Sequence, residues 1–136
     1  MNPSHEFLEH TSETRMRVRA ASIGELLAEA GRGLAALELR GASRAARGAW
    51  REVQVESRDR AALLVDWLNE LILVAEREHS VPREFEILEA GDARVRARVR
   101  GVPCPEGPSL VKAATLNDVR FGDADGMLEA EVTLDV

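Results

Sequence analysis

One cysteine, Cys104, and one lysine, Lys112, are all that the chain carries of either residue. A lone cysteine cannot form an internal disulfide, so no covalent staple holds the fold, and the pattern fits a reducing compartment. No stretch approaches the ~20 apolar residues that a membrane helix needs. The richest run, Ala61 to Val65, is broken by Asp66. The opening "MNPSHEFLEHTSE" has neither a basic start nor an apolar run, so no secretory leader is expected. Internal repeats, low-complexity linkers, glycine-rich phosphate loops and serine-hydrolase elbows are all missing. These absences point to a soluble cytoplasmic protein with no membrane contact.

What is present suits one ordinary domain. The 136 residues are 45% hydrophobic and 31% charged, enough for a real core. The net charge of −6 argues against broad coating of nucleic acid. Seventeen arginines stand against the single lysine, a bias that an arginine-favouring genome would also produce.

Periodicity supplies the elements. In "RMRVRA", Met16, Val18 and Ala20 alternate with arginines, so the segment reads as a strand with one buried face. Glu13 and Thr11 share the arginine parity and should face the polar side. "SIGE" then reads as a capping box, with Ser22 accepting from the backbone of Glu25. Ile23, Leu26, Leu27, Ala30, Leu34 and Leu37 fall on one face of the helix that follows. Gly31 and Gly33 weaken that helix, which suggests close packing against a neighbour. "GASRAARGA" is the most linker-like stretch, though too short to divide domains. "REVQVES" reads as a strand with Val53 and Val55 inward. The next helix carries Leu63, Leu64, Trp67, Leu68, Leu71, Ile72 and Ala75, widened by Val65, Leu73 and Val74. A helix apolar most of the way round is covered on more than one side. Period-two alternation then returns, with turns expected at Gly91-Asp92 and "GDADG". The expected fold is a single α+β domain over 1–136, in the order β-α-β-α-β-β-β-β. Its two helices should pack on a mainly antiparallel sheet.

The last strand carries the first chemical signal. Leu128, Ala130, Val132, Leu134 and Val136 share one parity, so Val136 should pack inward and pin the end. Glu129, Glu131, Thr133 and Asp135 share the other. The alternating arginines should pair with Glu129 and Glu131 across strands, in preference to forming an RNA-contacting stripe. A terminal carboxylate beside Asp135 would concentrate negative charge that repels unless a cation compensates. Hard oxygen ligands suit Ca²⁺ or Mg²⁺, but two carboxylates alone are a weak site. Other candidates are poorer. "DADG" echoes the start of an EF-hand loop, lacks the downstream glutamate and reads as a turn. Cys104 lies in the stiff "VPCPEGP" loop, where nothing local activates a thiol for pairing with His10 or His79. His10 reads as a structural hydrogen-bonding residue.

Four stretches together resemble the archease family: "EHTSETRMRVRAAS", "ALLVDWLNELILVAEREH", "VRGVP…LVKAAT" and "VTLDV". Their order and spacing cover nearly the whole chain. The pairing of "LLVDWLNEL" with "VKAAT" is the most specific part. The resemblance implies a protein that is not itself an enzyme. It would activate an RNA-splicing (tRNA) ligase by promoting guanylylation of the ligase and its multiple turnover. It also implies a divalent-metal site, holding Ca or Mg, built from Glu13, Asp135 and the main-chain carboxyl of Val136. RNA would be met only indirectly, through the ligase. Lys112 lies in the matching "KA" segment and reads either as a contact to phosphate or the partner or as an ordinary surface strand residue.

Two departures from the family pattern stand out. "HTSE" replaces "HTAD", so Glu13 keeps the charge on a side chain one methylene longer. Leu116-Asn117 replaces Tyr-His, removing an imidazole. These departures leave an alternative open: an archease-fold binding or chaperone-like module without ligase-activating function.

Overall fold

Alternating buried and wet side chains build seven strands around two helices in the computed structural model. It describes residues 2–10, 13–40, 42, 44–105 and 110–136, with backbone alone for residues 9 and 10. In chain order the elements are β1 (Ser4–His10), β2 (Glu13–Ala20), α1 (Ile23–Glu38), β3 (Arg47–Glu56) and α2 (Arg60–Glu78). β4 (Ser80–Ala90), β5 (Arg94–Pro103), β6 (Ala113–Ala124) and β7 (Met127–Asp135) follow. The α+β class and the element order are as expected, with β1 added in front. Thr11, the side chain of His10 and part of the "VPCPEGP" loop lie outside the described residues.

All pairing is antiparallel, and it divides the strands into two sheets rather than one. The first has the order β1-β2-β7-β6 and the second β3-β5-β4. Each helix touches strands of both sheets, so the helices fill the space between them. This is the second covering layer that the broad apolar surface of α2 called for. Trp67, fully buried, donates its indole N–H to the Leu27 carbonyl at 2.8 Å and ties the two helices together. Met16, Val18 and Val132 from one sheet share a continuous core with Val53, Ala97 and Val99 from the other. Leu73 departs from expectation: it is exposed on the outer side of α2.

Local chemistry ends the elements where the sequence suggests. Ser22 caps α1 by accepting from the Glu25 N–H. Asp59 caps α2 by accepting from the Ala62 N–H at 2.8 Å, and His79 closes it in the left-handed region. A Cβ placed on Gly31 would lie 2.5 Å from the Phe85 ring, and one on Gly33 would lie 2.5 Å from the Met16 sulfur. The glycines of α1 do mark close approach. "GDADG" closes the β6–β7 hairpin, with Asp125 and Gly126 both at positive φ, as a two-residue type I′ turn requires.

Candidate functional site

The expected site residues come from strands far apart in sequence. β2 and β7 are neighbours, and their register places Glu13 directly opposite Asp135. Residues opposed in this way have Cβ atoms about 5 Å apart and point to the same face. Both carboxylates therefore stand on the outer face of the first sheet, at its end. Ala113 of β6 opposes Asp135 on the other side. The Lys112 N–H donates to the Asp135 carbonyl at 2.8 Å, which sets the exposed Lys112 beside the pair. Glu13, Asp135 and Lys112 thus gather at one sheet end, with Val136 following directly.

Val136 does not behave as its parity suggests. β7 ends at Asp135, and Val136 is 36% exposed rather than packed inward. The last residue that packs is Leu134, which is fully buried and anchors the strand. β7 stops one residue short of Val136, so strand parity no longer directs its side chain.

The segment that carries Lys112 is held by three groups that sequence patterns do not reveal. Asn69, midway along α2, donates to the Ala114 carbonyl at 3.0 Å and accepts from the Ala114 N–H at 2.8 Å. Its amide thus plays the part of a neighbouring strand along the edge of β6. This contact joins "LLVDWLNEL" to "VKAAT". Glu38, at the end of α1, accepts from the Val111 N–H at 3.2 Å. Burial pushes the Glu38 carboxyl above its ordinary range, although the backbone N–H groups of Val111 and Leu110 favour its charged form. The third group is the Asp135 carbonyl itself. A polar residue on a helix face that is otherwise apolar was the available signal for Asn69.

One row in from the carboxylates, Arg15 opposes Thr133. Its guanidinium donates to Thr133 Oγ1 at 2.7 Å, to the Asp118 carbonyl at 2.9 Å and to Glu131 at 3.3 Å. It covers Thr133, which is only 2% exposed although it lies on the polar face. Arg15 also pins a bulge. Pairing of β6 with β7 breaks between Thr115 and Arg120, and the intervening residues include the exposed Leu116 and Asp118 at positive φ. Leu116-Asn117, the departure from the family pattern, therefore opens this bulge beside the candidate site. Arg17 bonds Glu131 in the next row and holds its carboxyl below the usual range, with Arg15 adding to the effect. Arg19 pairs with Glu129. The arginines of β2 are thus tied to β7 carboxylates, and the expected cross-strand pairing is present.

The donor set suits a hard divalent cation in kind: carboxylate oxygens on an open face. Among the described residues no cluster of three or more His, Cys, Asp or Glu side chains could hold an ion. A cation here would need main-chain oxygens or water to complete its shell.

Comparison with known proteins settles the lineage. The archease protein family (MTH1598/TM1083) matches residues 5–136. The chain belongs to the archease family. It is 33% identical over 92 residues to protein archease of Methanothermobacter thermautotrophicus, covering 63% of this chain and 66% of the relative. It is 26% identical over 140 residues to protein archease of Methanosarcina mazei, covering 97% and 95%. The solution structure of Methanobacterium thermoautotrophicum protein 1598 superposes with a TM-score of 0.71 at 25% identity, covering 97% of this chain and 98% of that one. A Thermotoga maritima crystal structure described as an archease, possible chaperone, superposes at 0.67 and 20% identity, covering 95% and 94%. The latter likeness concerns the fold. No helix among the described residues is long and apolar enough to cross a membrane.

Proposed function

We propose that this archease-family protein is a cytoplasmic accessory factor, not itself a catalyst, that binds an RNA-splicing ligase and promotes its guanylylation and turnover. The observation that carries the reading is the register match of Glu13 with Asp135 beside the exposed Lys112. It supports a reading in which this sheet end is anionic and would offer a cation. Glu13, Asp135 and the main-chain carboxyl of Val136 would hold Ca²⁺ or Mg²⁺ there. Such an ion would supply positive charge to balance and orient a triphosphate. Lys112 would add a mobile point charge toward phosphate or toward the partner. The longer Glu13 side chain reaches further from the sheet than an aspartate, so the ion would sit displaced toward solvent.

The test is a guanylylation assay with the ligase of the same organism and GTP, with and without this protein. Acceleration by the unaltered protein, lost in Asp135→Ala, is expected. No acceleration by the unaltered protein would refute the reading. A C-terminal tag that leaves divalent-metal affinity unchanged would remove the Val136 carboxyl from the ligand set. The exposed Leu116 bulge favours a second reading, a binding or chaperone-like module. Capture from the native organism that recovers other proteins and never a ligase would favour it over the first.

A further inference from the structure

Two helix side chains grip the main chain that leads into β6, and they do so with different chemistry. Asn69 of α2 holds both main-chain groups of Ala114 through an amide, which does not titrate. Glu38, the last residue of α1, holds the stretch just before it through a carboxyl. Its Oε1 accepts from the Val111 N–H at 3.2 Å, and the Leu110 N–H favours the same group. Lys112 follows directly and donates its own N–H to the Asp135 carbonyl. Glutamine in place of Glu38 would offer the same acceptor without the capacity to ionise.

The surroundings of Glu38 disfavour its charge. Its second oxygen, Oε2, is buried with no hydrogen-bond partner, and among the described residues no other carboxyl has an oxygen so placed. An oxygen buried without a donor costs less on a neutral acid than on an anion. The end of α1 adds the negative pole of the helix. Glu76 of α2 acts through space against the charge. Arg40, just past α1, acts through space for it, as do the two N–H donors. Burial outweighs these supports and holds the carboxyl above its ordinary range. The effect is reciprocal: a grip that disfavours loss of the proton is itself weakened when the proton is lost. A carboxylate formed here gains by turning out to water, and turning out releases Val111.

We propose that Glu38 is a proton-operated latch on residues 110–112: neutral, it keeps Lys112 at the sheet end that carries Glu13 and Asp135, and ionised, it lets the segment open. The carboxyl is displaced upward when latched. The latch is therefore fully closed below the ordinary carboxyl value and weakens as pH rises through the displaced one. It concerns this chain alone and stands or falls independently of the ligase reading.

The experiment follows amide hydrogen exchange in the full chain from pH 4 to 8, with each rate corrected for the intrinsic pH dependence of exchange. Protection of the Val111 and Lys112 amides should fall about tenfold per pH unit between the ordinary and displaced carboxyl values, then level off. Ala114, held by the Asn69 amide, and the fully buried Met16 should change less than about twofold. Glu38→Gln should keep residues 111 and 112 protected at every pH, and Glu38→Ala should leave them unprotected at every pH. Glu76→Gln should move the fall to lower pH. Circular dichroism melts check that each variant is folded. Carbon-13 NMR of the Glu38 carboxyl reads its titration in the unaltered protein, so the test does not hang on any variant. Three results would each overturn the proposal: pH-independent protection at Val111, an equal fall in Glu38→Gln, or a Glu38 titration at or below the ordinary carboxyl value.

Discussion

Removing the Asn69 amide should loosen the candidate site and the whole fold by a calculable amount. Asn69 satisfies both main-chain groups of Ala114, at 3.0 and 2.8 Å. β6 is an edge strand, so no further strand can replace the amide. Asn69→Ala strands one donor and one acceptor. A buried unsatisfied group costs ~1–3 kcal/mol. Asn69 is half-buried, so water can reach the gap and the lower part of that range applies, giving about 2–4 kcal/mol for the two groups. With unfolding entropy near ~2.1 cal/mol/K per residue, 136 residues lose about 3.5 °C per kcal/mol. The expected fall in Tm is therefore about 7–14 °C. Asn69→Asp is the sharper variant. It keeps an acceptor for the Ala114 N–H but sets a carboxylate oxygen against the Ala114 carbonyl. It should be as destabilised as alanine at pH 7 and recover when the carboxyl is protonated. Circular dichroism melts measure the stability, and hydrogen exchange at the Ala114 amide measures the local effect. A fall in Tm below about 3 °C for Asn69→Ala, with Ala114 protection intact, would refute the strand-mimic role.

Three further outcomes follow from the same contacts. Gly31→Ala gains up to ~1 kcal/mol of helix propensity. Its methyl would meet the Phe85 ring at 2.5 Å, so a net loss of about 1–2 kcal/mol is expected in denaturant titration, and a gain would refute the packing. Glu38 is raised by burial, so the fold favours its protonated form; its stabilising contribution is complete below the unfolded pKa and is lost as pH rises through the folded one. Glu38→Gln should therefore gain on the unaltered protein as pH rises from 4 to 8, and a pH-independent difference in Tm would contradict this. Glu131 is lowered, chiefly by its bond to Arg17, so its contribution is present above the unfolded pKa and lost as pH falls. Glu131→Gln should cost about 1 kcal/mol at pH 7 and nothing near pH 2, whereas an equal cost at both would place its role elsewhere.

Alternation along single strands was readable because burial repeats every second residue. It placed Glu13 and Asp135 on polar faces and matched arginines to Glu129 and Glu131. What it could not supply is adjacency. That Glu13 opposes Asp135 depends on β7 inserting between β2 and β6, a pairing across more than a hundred residues with no local signature. β1 was missed for a related reason. "SHEFLEH" has no Val, Ile or Thr, and its inward alternation rests on His5 and Phe7 alone, opposite Val18 and Met16. The His5 ring meets Glu29 at 2.6 Å, so one of its two inward residues is itself polar. Two sheets in place of one follow from the same limit, since helical periodicity shows how much of α2 is covered but not by what.

The misread residues share one physical cause: local pattern shows which way a residue points, not what lies there. Val136 has core parity, but β7 has ended and it stands 36% exposed. Thr133 has surface parity, but Arg15 lies over it and leaves it 2% exposed. Leu116 follows Thr115 into a bulge where alternation stops. All three lie along the final strand pair, within a few residues of the Glu13–Asp135 row. At that end of the sheet the strands stop or part, main-chain groups are released from pairing, and side chains such as Asn69 and Arg15 take them up. A regular strand end would keep those groups for its neighbour. Here the released carbonyl of Asp135 receives Lys112, and the released carbonyl of Asp118 receives Arg15. The irregularity that defeats periodicity is thus the same one that sets a lysine beside the two carboxylates and an arginine one row behind them.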